Sequence, residues 1–383
     1  MGFGYPLMRL GIIGGGQLGK MTAQEAKKMG LYVTVLDPAP QAPAAQVADA
    51  QIVGDFYDEA CLKELVEASD ITTYDIEHVN TAALKGLADV GHKILPSPTL
   101  LEVIQDKLKQ KEVLSRSGVP VPRYERVEQL THQHLERFGL PLVQKAAKGG
   151  YDGRGVFVLR EPDDLREAIR DKETFIEEFI DFKKELAVIV ARSTKGELKC
   201  YPVVEMIFDE RANICDMVIA PARVSEGVSE RAKEVAAKAV EALDGVGVFG
   251  VEMFLTRDGG ILVNEIAPRP HNSGHYTIEA CPTSQFEQHI RAISGLPLGS
   301  TELITPAVMV NLLGEEGHKG PPTIVGLEEA LAIEGLSFHL YGKSETRPFR
   351  KMGHITVVDS DLKRAIEKAE RAKELLKITS EGS

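Results

Sequence analysis

Gly250-Val251-Glu252-Met253-Phe254-Leu255-Thr256-Arg257-Asp258-Gly259-Gly260-Ile261-Leu262-Val263-Asn264-Glu265 consists of two short β-prone runs around Asp258-Gly259. Asp-Gly between such runs is the strongest local signal for a two-residue hairpin loop. A loop of that length pairs Leu255 with Leu262 and sets Glu252 opposite Glu265. Facing side chains have Cβ atoms about 4.5–5.5 Å apart, and like charges placed so repel. Two readings are open. In one, a hard cation lies between the carboxylates, as Mg²⁺ takes one or two carboxylates and completes its shell with phosphate oxygens. In the other, the register is shifted by one residue and one glutamate is solvated. The hairpin alone leaves them even. The next residues, Ile266-Ala267-Pro268-Arg269-Pro270-His271-Asn272-Ser273-Gly274-His275, favour the first, because they bring cations, an amide and a hydroxyl beside the pair.

The chain has 383 residues, enough for two or three domains with a large core. Its formal net charge of −12 excludes a general nucleic-acid binder but not a local phosphate site. The four cysteines, Cys61, Cys200, Cys215 and Cys281, have no paired spacing and read as buried thiols in a reducing cytosol. No apolar run approaches the roughly 18 residues of a spanning helix. Met1 to Leu7 lack the basic flank and apolar stretch of a secretory signal, so a cytoplasmic protein without membrane attachment is expected.

Outward from the hairpin, the N-terminal third reads as a βαβ start. Leu10 to Ile13 is a strand, and Gly14-Gly15-Gly16-Gln17-Leu18-Gly19 opens a helix to about Met29. Leu31 to Leu36 is the next strand, ended by Asp37. The glycines satisfy G-x-G-x-x-G, which places backbone amides and a helix N-terminus near an anion. A nicotinamide-dependent oxidoreductase is the alternative this motif raises. Glu77 and His78 follow the strand Ile71 to Tyr74, where open parallel sheets carry ligand groups. A single helix is predicted from Thr99 to Ser117, ending at Gly118 and carrying Lys107, which reads as solvated.

Lys148-Gly149-Gly150-Tyr151-Asp152-Gly153-Arg154-Gly155 joins the strands Leu142 to Lys145 and Val156 to Leu159. Four glycines with two cations suit a hairpin that folds its amides over a phosphate, although no Lys-Ser/Thr and no helix comes after it as in a Walker A loop. Phe175 to Ile180 is an extended segment for a purine edge, with Glu185 soon after; the bland reading is an edge strand with solvated acids. Lys343, Arg347, Arg350 and Lys351 fall within nine residues and suit an anion site or a solvated turn.

Together these features resemble the ATP-grasp ligases. Five segments are similar to the N5-carboxyaminoimidazole ribonucleotide synthetases of purine biosynthesis: G-G-G-Q-L-G-K-M at 14–21, T-Y-D-I-E-H-V at 73–79, G-G-Y-D-G-R-G at 149–155, N-E-I-A-P-R-P-H-N-S-G-H at 264–275 and R-P-F-R-K-M-G-H at 347–354. The resemblance implies an α/β (α+β overall) chain with an ATP-grasp fold. Residues 1–98 would be a Rossmann-like parallel-sheet domain and 99–300 the ATP-grasp region with a lid at about 120–178. Residues 301–383 would be a small β-rich domain packed on that core. It implies that ATP, bicarbonate and 5-aminoimidazole ribonucleotide give N5-carboxyaminoimidazole ribonucleotide, ADP and phosphate. Lys107, Lys145, Gly150, Tyr151, Asp152, Gly153, Arg154, Gly155, Val156, Glu177, Glu178, Phe179, Ile180, Glu185, Asn264 and Glu265 would hold ATP. Glu252 and Glu265 would hold Mg²⁺, or Mn²⁺ in its place. Gln17, Leu18, Glu77, Lys343, Arg350 and Lys351 would bind the ribonucleotide. Tyr151, Asp152, Arg154, Arg269, His271 and Asn272 would surround the reacting groups. A homodimer is the family expectation. Three positions depart from the pattern: Phe349 replaces a glycine, Phe208 a histidine and Asp75 a glutamate. Related ATP-grasp ligases, such as a formate-using glycinamide ribonucleotide transformylase or a biotin carboxylase, would share the metal pair but not the 264–275 segment.

Overall fold

The computed structural model describes residues 6–149, 155–209 and 214–380. The apolar runs at the N-terminus form a parallel sheet from β1 (Arg9–Ile13), β2 (Tyr32–Asp37), β3 (Ala50–Val53) and β4 (Ile71–Tyr74), in the order β3-β2-β1-β4. Helix Gln17–Lys28 packs Ala23 and Ala26 onto this sheet beside Leu10, Ile12, Val33 and Val35. Strands β1, β2 and β4 are buried along nearly their whole length, as helices on both faces require.

The predicted helix from Thr99 to Ser117 is two helices, Pro98–Ile104 and Lys107–Arg116. The break has a local cause. Asp106 leaves helical geometry, accepts a hydrogen bond from the Lys109 amide and caps the second helix. The Lys107 amide donates to the Ala147 carbonyl at 2.8 Å instead of to its own helix. Lys107 therefore stands in a first helical turn directed at the next sheet, and the reading of it as solvated is corrected.

That sheet is antiparallel: β5 (Tyr124–Val127), β6 (Leu142–Ala146), β7 (Val156–Leu159) and β8 (Thr174–Glu178), in the order β5-β8-β6-β7. The segment β8 is thus internal, hydrogen-bonded on both sides, and the edge-strand alternative fails. The expected contacts at Gly150, Tyr151, Asp152, Gly153 and Arg154 lie outside the described residues.

The largest sheet contains β9 (Phe182–Arg192), β10 (Leu198–Cys200), β11 (Val204–Asp209), β12 (Ile214–Ala220), β13 (Gly247–Thr256) and β14 (Ile261–Ala267). It continues with β15 (Ala307–Leu313), β17 (Leu336–Leu340) and β18 (Lys351–Val358). Its order is β14-β13-β9-β11-β12-β15-β18-β17, with β10 beside β9. The strands before and after residue 300 therefore share one ladder, joined where β12 pairs with β15. Helix Glu226–Ala242 buries Ala232, Ala236 and Val240 against one face, and helix Leu362–Leu375 covers the later strands through Ala365, Ala369 and Ala372. A separate ribbon pairs β16 (Pro322–Val325) with β19 (Lys377–Ser380).

The hairpin has the predicted partners at its base and different ones at its tip. Glu252 faces Glu265, but Leu255 pairs with Ile261 rather than Leu262. The loop is longer by one residue, with Gly259 at φ +89° supplying the left-handed turn position. A bulge at Asn264 absorbs the difference and restores the register at Glu265.

Candidate active site

The bulge directs Asn264 and Glu265 into a cleft between the two antiparallel sheets. This cavity of about 440 Å³ is lined on one side by Lys145, Val156 and Glu177 to Ile180, and on the other by Glu185, Glu252, Asn264 and Glu265. Lys107, Gly149, Glu77, Arg269, His271, Asn272 and Lys351 also line it.

The carboxylates at its floor are unequal. Lys107 Nζ lies 2.8 Å from Glu265 Oε2. Burial opposes the Glu265 charge, but Lys107, Lys145 and Arg269 hold its carboxyl below the usual range. Burial, then the charges of Glu265 and Glu185, push the Glu252 carboxyl up to about 8. Burial alone takes Glu185 up to about 7. A second negative charge beside Glu265 is therefore disfavoured here until a cation arrives. Among the described residues no three His, Cys, Asp or Glu side chains are placed to hold a metal by themselves. Two hard oxygen donors on adjacent strands fit Mg²⁺ when phosphate oxygens and water complete its shell.

His271 Nε2 is 3.2 Å from Glu252 Oε1, and its Nδ1 accepts the Ser273 amide, which leaves Nε2 to carry the proton. Burial, with Arg269 and Lys351 nearby, pushes this imidazole down to about 3, so it is neutral at pH 7. Gly250 makes room for it: a Cβ there would stand 2.5 Å from His271 Cβ. Arg269 is fixed by Glu77, Nη2 to Oε1 at 2.7 Å. Asn272 exchanges two side-chain hydrogen bonds with Asn311 of β15, at 2.8 and 2.7 Å. Its amide thus ties the site loop to the later part of the large sheet.

On the opposite wall Lys145 Nζ reaches Asn264 Oδ1 at 3.2 Å and Glu177 Oε2 at 2.7 Å. Glu177 is 2 % exposed, and its other oxygen lies 2.5 Å from Lys111 Nζ. Sequence reading missed Lys111. Its spacing of four from Lys107 on one helix was the available signal. Glu178 turns its side chain to the Arg123 amide at 2.8 Å. Phe182, also unread from sequence, stacks on Phe254 with ring centroids 5.0 Å apart and lines the cleft. Gly155, at φ +77°, passes its carbonyl to the Ala146 amide.

Gln17, Leu18, Lys343 and Arg350 lie outside this cavity's lining. Leu18 is buried against Met21, Phe286 and Tyr341, which sets the start of helix Gln17–Lys28 beside the turn that carries the cations. Lys343 donates to the Lys351 carbonyl at 2.7 Å, and Arg350 to the Glu345 carbonyl. Burial, then Arg350, pushes the Lys343 ammonium down to about 8. Phe349, where a glycine was expected, adopts φ +62° and lines a separate cavity of about 150 Å³. The backbone form that glycine would provide is kept, and Phe349 is not part of the main cleft's lining. Phe208 lines the main cleft.

The first glycine motif does not present a free anion site. Asp37 Oδ2 accepts the Gly15 amide at 2.8 Å. A Cβ on Gly16 or Gly19 would meet Asp75 Oδ2 at 2.9 Å. The protein's own carboxylates, Asp37 and Asp75, thus stand against the glycines of this motif.

Two antiparallel sheets closing on a cleft with paired glutamates, two lysines and an amide define the class of ATP-grasp ligases. Residues 7–105 match the ribonucleotide synthetase preATP-grasp domain, residues 112–286 the ATP-grasp domain, and residues 307–368 the phosphoribosylaminoimidazole carboxylase C-terminal domain. The chain is 44% identical over 358 residues to the N5-carboxyaminoimidazole ribonucleotide synthase of Bacillus subtilis, covering 92% of each. The crystal structure of the Thermotoga maritima synthetase aligns with a TM-score of 0.92 at 62% identity, over 98% of this chain and 100% of that one. An Aspergillus clavatus synthase in complex with ADP and 5-aminoimidazole ribonucleotide aligns at 0.88 with 39% identity, over 96% and 98%. The chain belongs to the N5-carboxyaminoimidazole ribonucleotide synthase family.

Proposed function

We propose that the cleft carries out the ATP-dependent carboxylation of 5-aminoimidazole ribonucleotide with a definite division of labour. Bicarbonate oxygen attacks the γ-phosphorus of ATP, and ADP leaves. The resulting carboxyphosphate delivers its carboxyl carbon to the 5-amino nitrogen, which loses a proton as phosphate departs. Such a transfer needs positioning and neutralised oxygens more than covalent help. Lys107, Lys145, Asn264 and Glu265 face the polyphosphate, and residues 178–180 with Glu185 face the nucleoside. Glu252 and Glu265 would hold Mg²⁺, which when bound would supply positive charge to the phosphate oxygens. Arg269, held by Glu77, faces bicarbonate, with neutral His271 and Asn272 beside it. Lys343, Arg350 and Lys351 receive the ribonucleotide phosphate next to Gln17 and Leu18.

The observation that carries this reading is the unlike pair at the cleft floor: Glu252 faces Glu265, with His271 3.2 Å from the first and Lys107 2.8 Å from the second. We take residues 1–98, 99–300 and 301–383 as the acceptor, nucleotide and phosphate-corner units. The protein is read as a cytoplasmic homodimer, whose oligomeric state sedimentation checks. No helix among the described residues is long and apolar enough to cross a membrane. The test is ADP release by pure protein with Mg²⁺ and each candidate acceptor in turn. Release that requires both aminoimidazole ribonucleotide and bicarbonate is expected. Release without dependence on bicarbonate overturns the carboxyl donor, and hydride transfer to a nicotinamide overturns the ligase reading.

A further inference from the structure

Helix Lys107–Arg116 sends two ammonium groups toward the cleft wall one turn apart. Lys107 meets Glu265, a cleft residue. Lys111 meets Glu177 from behind: the two side chains are 5% and 3% exposed, and Lys111 has no surface on the cavity. Glu177 in turn holds Lys145, whose side chain is 15% exposed and does line the cavity. A buried carboxylate paired with one ammonium cancels it. Paired with two, it leaves the group with a single positive charge, and only Lys145 can present that charge to a ligand.

We propose that Lys111 is a positioning residue that neutralises Glu177 from the protein side, so that Lys145 keeps its charge for the nucleotide's phosphate oxygens. The inference rests on the assignment of Lys145 to the nucleotide made above. Burying a third charge is expensive, and a purely structural contact would be served as well by an apolar pair. The cost is intelligible if the product is an unneutralised cation at the cleft. Asn264 supports the same orientation by accepting from Lys145 on its other side at 3.2 Å. Lys111 cannot act on a ligand directly, so its effect passes through Glu177 and Lys145.

The test is ADP affinity by titration calorimetry for wild type, Lys111→Met, Lys111→Arg and the double variant Lys111→Met/Glu177→Gln, with thermal melts of each. Lys111→Met should bind ADP about tenfold more weakly and raise the KM for ATP alike, while the KM for the ribonucleotide stays within about twofold. Lys111→Arg should bind close to wild type. The double variant should regain most of the loss, because Lys145 is again unneutralised. A role in packing alone predicts a double variant no better than Lys111→Met, and that result, or unchanged ADP affinity in Lys111→Met, overturns the proposal. If Lys111→Met does not fold, the double variant decides: a loss of more than about tenfold against wild type overturns the proposal, and a smaller one supports it. ADP binding needs no acceptor. A wild-type protein that binds ADP yet fails to carboxylate the ribonucleotide therefore overturns the functional reading and leaves the Lys111 comparison standing.

Discussion

Glu252 and Glu265 stand opposite each other on β13 and β14 with unlike partners, a neutral imidazole 3.2 Å from the first and a lysine ammonium 2.8 Å from the second. The asymmetry means that the second carboxylate is charged before any cation arrives. Glu265→Gln removes that charge without changing volume. It should lower ADP formation by at least about a hundredfold while the melting temperature stays near wild type. Near-native turnover in that variant would remove the metal role.

Arg350 sits beside Lys343, whose ammonium is held down by burial and by Arg350 itself. An arriving phosphate relieves this repulsion and gains charge-assisted hydrogen bonds. Arg350→Ala should raise the KM for the ribonucleotide about tenfold and leave the KM for ATP within about twofold. Initial-rate kinetics against each substrate distinguish this from a general loss.

Asp75 supplies a pH signature. Burial pushes its carboxyl up to about 6, against the pull of the Gly19 amide and Arg269. A raised folded value means that the native state keeps its proton after the unfolded chain has lost it. Stability conferred by this residue is therefore present at low pH and declines as pH rises from about 4 to about 6. The wild-type minus Asp75→Asn difference in unfolding free energy should fall by about 3 kcal/mol across that window and be flat above it. Urea melts at a series of pH values measure it, and a difference that rises with pH would contradict the shift.

Asn311 is 3% exposed and gives hydrogen bonds to Asn272 and to the Cys215 carbonyl. Asn311→Leu leaves those groups unpaired, so it should destabilise the protein by about 2–3 kcal/mol. It should also lower kcat, because Asn272 is no longer held. Denaturant unfolding and turnover of the same preparation check both outcomes.

The glutamate pairing was legible from an Asp-Gly reversal even though the loop length was not. The reason is specific: a residue added at the tip is cancelled by the bulge at Asn264, and sequence pattern shows neither displacement. The break between Pro98–Ile104 and Lys107–Arg116 was hidden because Asp106 is unremarkable in a charged helix until Ala147 takes the Lys107 amide. Glu177 read as an ATP contact or a solvated acid, and both views missed that β8 is an inner strand and that two lysines converge on it. Long-range charge pairing of this kind has no local signal. Cys215 and Cys281 are buried as expected, whereas Cys61 and Cys200 are only partly covered.

The junction of β12 with β15 has a practical corollary for anyone recombining this enzyme with a relative. A cut near residue 300 would ask foreign strands to dock edge to edge in the middle of a shared ladder. The four strands β5 to β8 form a sheet of their own, so exchanging them cuts no strand pairing of the large sheet. Crossover points at its flanks should yield folded hybrids more often than a graft of the C-terminal segment alone.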